Sequence, residues 1–222
     1  MSVSTAIILA AGRGRRMEQL CQFKPKCLLE LGGSTLLEWQ LAALKTAHIH
    51  STALVVGYQS KQLKGYTETV IENQRWLHSN IFISLACAAD LLHREACVIS
   101  YSDIVYHPAH VIALTQSNAP ISITADLLWL DLWQRRFKTQ VCDDAESFRY
   151  QASQLLEIGH RVTDPGLVQA QFMGLLKITP EGWAMIENIV NGLEKSLVEN
   201  LDITALLQIL IRQNIPVAVI TV

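Results

Sequence analysis

Long apolar runs, charged residues and paired cysteines are all scarce in this sequence, and each shortage closes off a class of protein. No stretch reaches the ~20 consecutive apolar residues that a helix needs to cross a bilayer. The apolar run at residues 6–11 is short, lacks a basic leader and leads into a Gly/Arg segment, so it does not read as a signal peptide. A cytoplasmic protein is the expectation. Only 17% of residues are charged and the net charge is −2, which gives no bulk attraction to nucleic acid or an anionic membrane. Neither is expected as a partner. The five cysteines, Cys21, Cys27, Cys87, Cys97 and Cys142, form no CxxC pair, so neither a zinc site nor a disulfide framework is indicated. Internal repeats, low-complexity tracts and Pro/Ser-rich linkers are missing too, and residues 1–222 read as a single domain.

What the chain does have is apolar residues, half of the total, enough to bury a sizeable core. They come in two alternating patterns. Residues 5–10 form a run apolar on both faces, the mark of a strand buried inside a parallel sheet. Leu36, Leu37, Leu41, Ala42 and Leu44 follow on one helical face, with Ser34 or Thr35 as N-cap. Strands are expected at 53–57, 68–72, 97–101 and 121–125, with helices at 80–92 and 108–116 between them. The second half is less regular, with strands at 155–158, 172–178 and 217–221 and helices at 180–190 and 203–211. This order predicts an α/β fold, a Rossmann-like mixed, mostly parallel sheet flanked by helices.

The richest segment is Leu9-Ala10-Ala11-Gly12-Arg13-Gly14-Arg15-Arg16-Met17, followed by Lys24-Pro25-Lys26. A buried strand that empties into Gly-x-Gly exposes backbone N–H groups to a polyphosphate without Cβ interference. The arginines and lysines nearby supply the positive charge a triphosphate needs. Neither GxGxxG nor GxxxxGK[ST] is present, which argues against a dehydrogenase-like dinucleotide binder and a P-loop. Asp103 lies just beyond the 97–101 strand, where open α/β sheets bind ligands.

The AAGxGxRM segment with its following PK pair resembles the nucleotidyltransferases that activate sugar phosphates and small alcohol phosphates. The resemblance implies the fold of nucleotide-diphospho-sugar transferases. It implies that Leu9, Ala10, Ala11, Gly12, Arg13, Gly14 and Arg15 wrap the nucleotide, although Arg15 stands where many members carry Ser or Thr. By position, Arg16 matches the triphosphate-binding arginine, Lys26 the catalytic lysine, and Asp103 the aspartate that holds Mg²⁺. Residues 73–85, with Asn80 and Ser84, resemble the base-side stretch of the cytidylyltransferase branch; the same two residues also make an ordinary helix start.

The series around residues 129–137, 143–148, 157–159 and 171–176 resembles CTP:phosphocholine and CTP:aminoalkylphosphonate cytidylyltransferases. Trp129 and Trp133 stand four apart, on one face if helical, and with Asp131, Asp144 and Glu146 such indoles can cage an ammonium group. Core packing of both tryptophans is the alternative. Family members continue past the last strand to a Trp-x-(Glu/Asp)-x-Asp segment whose aspartate is a second carboxylate on the metal. No such segment is present in this sequence, and Asp202-Ile203-Thr204 matches the helix start ahead of it; a shortened chain, another carboxylate such as Asp144 or Glu146 in its place, and a nucleotide binder of poor turnover are the three explanations. The expected activity is transfer of CMP from CTP to a small phosphorylated or phosphonate, phosphocholine-like acceptor, with release of pyrophosphate. A sugar-1-phosphate nucleotidyltransferase using UTP or GTP, or a nucleotide-binding protein of impaired turnover, are the alternatives.

Overall fold

The computed structural model describes residues 3–14, 18–138 and 140–222. The expected positions of Arg15 and Arg16 in the site therefore lie outside the described residues. Strand β1 (Thr5–Ala10) leads through the glycine loop to α1 (Glu18–Cys21), a small ladder of β2 (Glu30–Leu31) and β3 (Ser34–Thr35), and α2 (Leu36–Thr46). Next come β4 (Ser51–Val56), β5 (Thr69–Glu72), α3 (Ile81–Ala86), α4 (Ala89–Arg94) and β6 (Cys97–Tyr101). Helix α5 (Pro108–Thr115), β7 (Ile121–Asp126), α6 (Trp129–Phe137), β8 (Glu146–Gln151), β9 (Gln154–Arg161) and β10 (Gln171–Ile178) follow. The chain closes with α7 (Pro180–Val190), α8 (Lys195–Glu199), α9 (Ile203–Arg212) and β11 (Ala218–Thr221).

Nine strands form one sheet in the order β5-β4-β1-β6-β10-β7-β11-β9-β8. Their pairings leave β9 and β10 running against the other seven. All six residues of β1 are buried because β4 and β6 flank it in parallel and helices cover both faces. Ile7 and Leu9 enter one core layer, while Ala6, Ile8 and Ala10 enter the other. This explains the doubly apolar run. From β1 the chain moves outward through β4 to β5, then returns to β6 on the opposite side of β1. The reversal opens a crevice at the carboxyl ends of β1 and β6, the usual ligand position in open α/β sheets.

Local chemistry fixes the helix starts. Thr35 and Glu38 form a capping box on α2, Thr179 caps α7 ahead of Pro180, and Asp202 caps α9. The expected single helix at 80–92 is instead two, broken at Cys87 and Ala88. Tertiary packing drives the break: α3 lies against β1 and β4, whereas α4 packs on α7, and one straight helix cannot meet both. Strand β8 is an addition to the expected set. It pairs with β9 through a two-residue turn in which Ala152 and Ser153 both have positive φ, 49° and 61°. That is the type I′ geometry usually announced by Asn-Gly or Asp-Gly, and neither signal is present. Among the described residues no helix is long and apolar enough to cross a membrane.

Candidate active site

The crevice between β1 and β6 holds a cavity of about 560 Å³. Leu9, Ala11, Gly12 and Gly14 form its wall on the β1 side. Gly14 has φ of +71°, and a Cβ there would stand 3.3 Å from Lys26 Cδ and 3.4 Å from Lys26 Cβ. Glycine is thus needed twice, for the backbone turn and to let the lysine stem lie along the loop. Lys26 opens a 3-10 turn that follows Pro25, and it reaches across the cavity to Asp103, with Nζ 2.5 Å from Oδ2. Their side chains retain 27% and 33% exposure, so the pair faces the cavity rather than the core. Ala10 and Arg13, expected at the nucleotide, do not line the cavity. Ala10 points into the core, and the Arg13 guanidinium lies 5.6 Å from the Tyr58 ring centroid.

Asp103 sits in an irregular segment just after β6, and a buried amide grips that segment. Gln40 of α2 is 0% exposed. Its Nε2 donates to the carbonyls of Tyr101 at 3.1 Å and Ile104 at 2.7 Å, and its Oε1 accepts from Ser100 Oγ at 3.1 Å. Gln40 stands on the face of α2 that Leu37 and Leu44 bury, a spacing that could have flagged it, but its polar type hid it from sequence reasoning.

The expected base-side residues do converge on the cavity, through a network centred on Asn73. Its buried amide donates to Ser79 Oγ at 3.2 Å and Ser84 Oγ at 3.0 Å, while its oxygen accepts from Arg75 N at 2.9 Å. Ser79, Asn80, Ile81 and Ser84 line the cavity together with Trp76. Trp76 is seated on Gly57, where a Cβ would come 2.5 Å from Trp76 Cβ and 2.8 Å from the Ala11 carbonyl oxygen. Asn80 is spoken for structurally: its oxygen caps α3 at Ile81 N, and its Nδ2 donates to the Asn200 carbonyl at 2.9 Å. Asn80 N donates to the Glu199 carbonyl and Phe82 N to that of Leu201. These bonds stitch the 199–202 segment onto α3 and deliver Asp202 and Thr204 to the cavity.

The acceptor cage expected from the tryptophans is not what the fold builds. Trp129 is 2% exposed inside the core, and Trp133 packs on it at 6.0 Å between centroids. Burial closes Trp129 to an ammonium ion, and the half-buried Trp133 has the Arg136 guanidinium 5.6 Å from its ring centroid. Asp131 faces a separate shallow surface with Gln134 and Arg135. Glu146 does line the cavity, since β8 lies against β10 with Gln171 clasping its backbone: Gln171 Nε2 donates to the Glu146 carbonyl at 2.6 Å. Opposite it the Tyr101 ring lies over Gly174, whose φ is +81° and where a Cβ would stand 2.8 Å from the ring.

Three carboxylates therefore border one cavity: Asp103, Glu146 and Asp202. Burial raises the Tyr101 phenol well above its ordinary value, and Asp202, Asp103 and Glu146 push in the same direction. Among the described residues the lining contains no imidazole or thiol. Oxygen donors of this kind fit a hard divalent cation such as Mg²⁺, which takes one or two carboxylates and fills its remaining positions from phosphates and water. Among the described residues no group of three or more His, Cys, Asp or Glu could hold a metal ion. Cys27, beside Lys26, is no candidate nucleophile, because burial pushes its thiol up to about 12.

Comparison with known proteins identifies the family and the fold. Residues 6–127 match the family model of the MobA-like NTP transferase domain. The chain is 30% identical to CTP:phosphoglutamine cytidylyltransferase of Campylobacter jejuni over 94% of its own length and 88% of that protein. It is 34% identical to 2-aminoethylphosphonate cytidylyltransferase of Lancefieldella rimae over 49% of this chain and 46% of that one. The inositol-1-phosphate CTP transferase of T. maritima shares the fold, with a TM-score of 0.77 at 19% identity, covering 100% of this chain and 86% of that one.

Proposed function

The chain belongs to the MobA-like NTP transferase family, and from that premise we propose that it transfers CMP from CTP to a small phosphorylated or phosphonate acceptor. Pyrophosphate is the second product. An oxygen of the acceptor's phosphate or phosphonate bonds to the α-phosphorus of CTP. The bond from that phosphorus to the bridging oxygen breaks, and its electron pair leaves with pyrophosphate. The attacking oxygen is already anionic at neutral pH, so no general base is required. Charge dispersal and alignment are the main catalytic demands of such a transfer.

Lys26 is the cation suited to the α-phosphate, because its amino group stands in the cavity beside the glycine loop. Among the described residues nothing lies within 4 Å of where a Gly12 side chain would stand, which leaves the polyphosphate an open approach to the backbone. A bound Mg²⁺, held by Asp103, would supply further neutralisation of the triphosphate. Ser79, Ser84 and Trp76 suit the base, with hydroxyls for a pyrimidine edge and an indole beside it. The acceptor is left the opposite end, between Glu146, Tyr101 and Asp202. CTP is a cytoplasmic nucleotide, and the cytoplasm is the proposed place of action.

One observation carries the reading: Lys26 and Asp103 meet in a cavity walled by Gly12 and Gly14. The test is pyrophosphate release with CTP, UTP, GTP and ATP, each against phosphocholine, 2-aminoethylphosphonate, phosphoglutamine and a sugar 1-phosphate. CTP with one of the first three should dominate. Turnover dominated by UTP or GTP with the sugar phosphate would overturn it. So would CTP binding by calorimetry with no pyrophosphate from any pair.

A further inference from the structure

We infer that Gln40, remote in sequence from every motif of the site, is the positioning residue that sets the Asp103 carboxylate for its cation. The inference rests on the nucleotidyltransferase reading and adds a residue to it. Asp103 has no regular secondary structure to hold it, since β6 ends at Tyr101. Backbone outside a strand or helix must be fixed by other partners if its side chain is to keep one direction. Gln40 supplies them on both flanks of Asp103, one amide group bonding the carbonyls of Tyr101 and Ile104. Ser100 in turn fixes which way the amide faces, because its hydroxyl donates to Gln40 Oε1. The geometry leaves the Gln40 nitrogen toward the loop and the oxygen toward the strand.

Burial makes the clamp stiff. Gln40 lies in the interior beside Leu37 and Leu44 of α2, where water cannot replace a lost bond. Helix α2 is itself anchored by the Thr35–Glu38 capping box and packs on α5. The 101–104 segment is therefore referenced to the body of the fold through α2. Residues that orient a metal ligand from behind typically set about 10–100-fold of metal affinity or activity, and that is the size of effect expected here.

The test compares Gln40→Met, which keeps an unbranched side chain of similar length and removes both donors, with Leu114→Ala, a cavity in the same core layer. Calorimetry of CTP binding over a Mg²⁺ series, without acceptor, gives the half-saturating Mg²⁺ concentration. It should rise about tenfold or more in Gln40→Met. CTP binding without Mg²⁺ should stay within about twofold of the wild type, a split that a general loosening would not produce. In turnover assays kcat should fall by a similar factor. Leu114→Ala should lower the thermal midpoint while leaving the Mg²⁺ requirement unchanged. Ser100→Ala, a milder probe that removes the hydroxyl on Gln40 Oε1, should shift the Mg²⁺ requirement in the same direction and less; it decides the matter if Gln40→Met does not fold. An unchanged Mg²⁺ requirement in the folded Gln40 variant, or in Ser100→Ala if that variant must stand in, overturns the inference and leaves the proposed reaction intact. An equal shift in Leu114→Ala overturns it too. A wild type that binds CTP with no response to Mg²⁺ overturns both readings.

Discussion

Lys26 Nζ stands 2.5 Å from Asp103 Oδ2 although 77 positions separate the two residues in the chain. The pair is about a third exposed on each side, and exposed ion pairs contribute about 0–1 kcal/mol to stability. So small a gain does not account for two charges placed across a polar cavity. Charge handling of a bound ligand is the role proposed for them.

Lys26→Ala should therefore fold normally and fail catalytically. Loss of one preorganised charge or donor at the transferring phosphorus costs about 10²–10³-fold in kcat. Thermal denaturation alongside a pyrophosphate assay checks both halves, and a folded variant with wild-type kcat would remove Lys26 from the reaction.

Asp103→Asn keeps the size of the side chain and removes the charge. The Mg²⁺ concentration needed for half-maximal turnover should climb by about tenfold or more, while the thermal midpoint moves little. An unaltered Mg²⁺ requirement would put the cation elsewhere.

Gly57→Ala places a methyl group where Trp76 Cβ would be 2.5 Å away and the Ala11 carbonyl oxygen 2.8 Å away. The indole and the loop must both shift. Misplacement of a positioning group by about 1 Å can cost about 10²-fold in rate, so kcat/KM for CTP should drop by one to two orders of magnitude. Steady-state kinetics at varied CTP would show it, and kcat/KM within twofold of wild type would deny Trp76 a place at the nucleotide.

The two tryptophans of α6 should behave as core residues. Trp129→Ala should cost about 3–5 kcal/mol by urea denaturation. Trp133→Phe should leave the KM for the acceptor unchanged. A selective rise in that KM, with stability intact, would restore the cage that the fold argues against.

Alkaline pH should destabilise the protein through its buried thiols. Burial raises Cys27 and Cys97 from 9.0 to about 12 each. Between those values the unfolded chain releases protons that the folded chain retains, so stability is fully present below pH ~9 and declines as pH rises toward ~12. Thermal midpoints from pH 8 to 11 should fall, and Cys27→Ala should flatten part of the slope. A midpoint that climbs over this range would contradict the burial of both groups.

Much of this was legible in the residues. β1 declared itself because a strand covered on both faces has no reason to alternate, and Thr35 with Glu38 wrote the start of α2 into four positions. Lys26, Asp103, Ser84 and Glu146, all singled out from the sequence, line one cavity. Trp129 and Trp133 misled because spacing reveals which residues share a helix face but not whether that face meets solvent or core. β8 was silent because its turn is formed by Ala152 and Ser153, which do not advertise positive φ.

The sequence by itself determined most of the order of strands and helices, the glycine loop after β1 and the identity of the charged groups near it, since these depend on local spacing and backbone freedom. Tertiary structure alone decided which groups share a cavity. Gln40 reaches the Asp103 segment, and Asp202 arrives through the stitch between α3 and residues 199–202. Contacts of that kind join residues distant in the chain, and burial makes them specific. Proximity in space between residues far apart in the chain has no local signature in the order of amino acids.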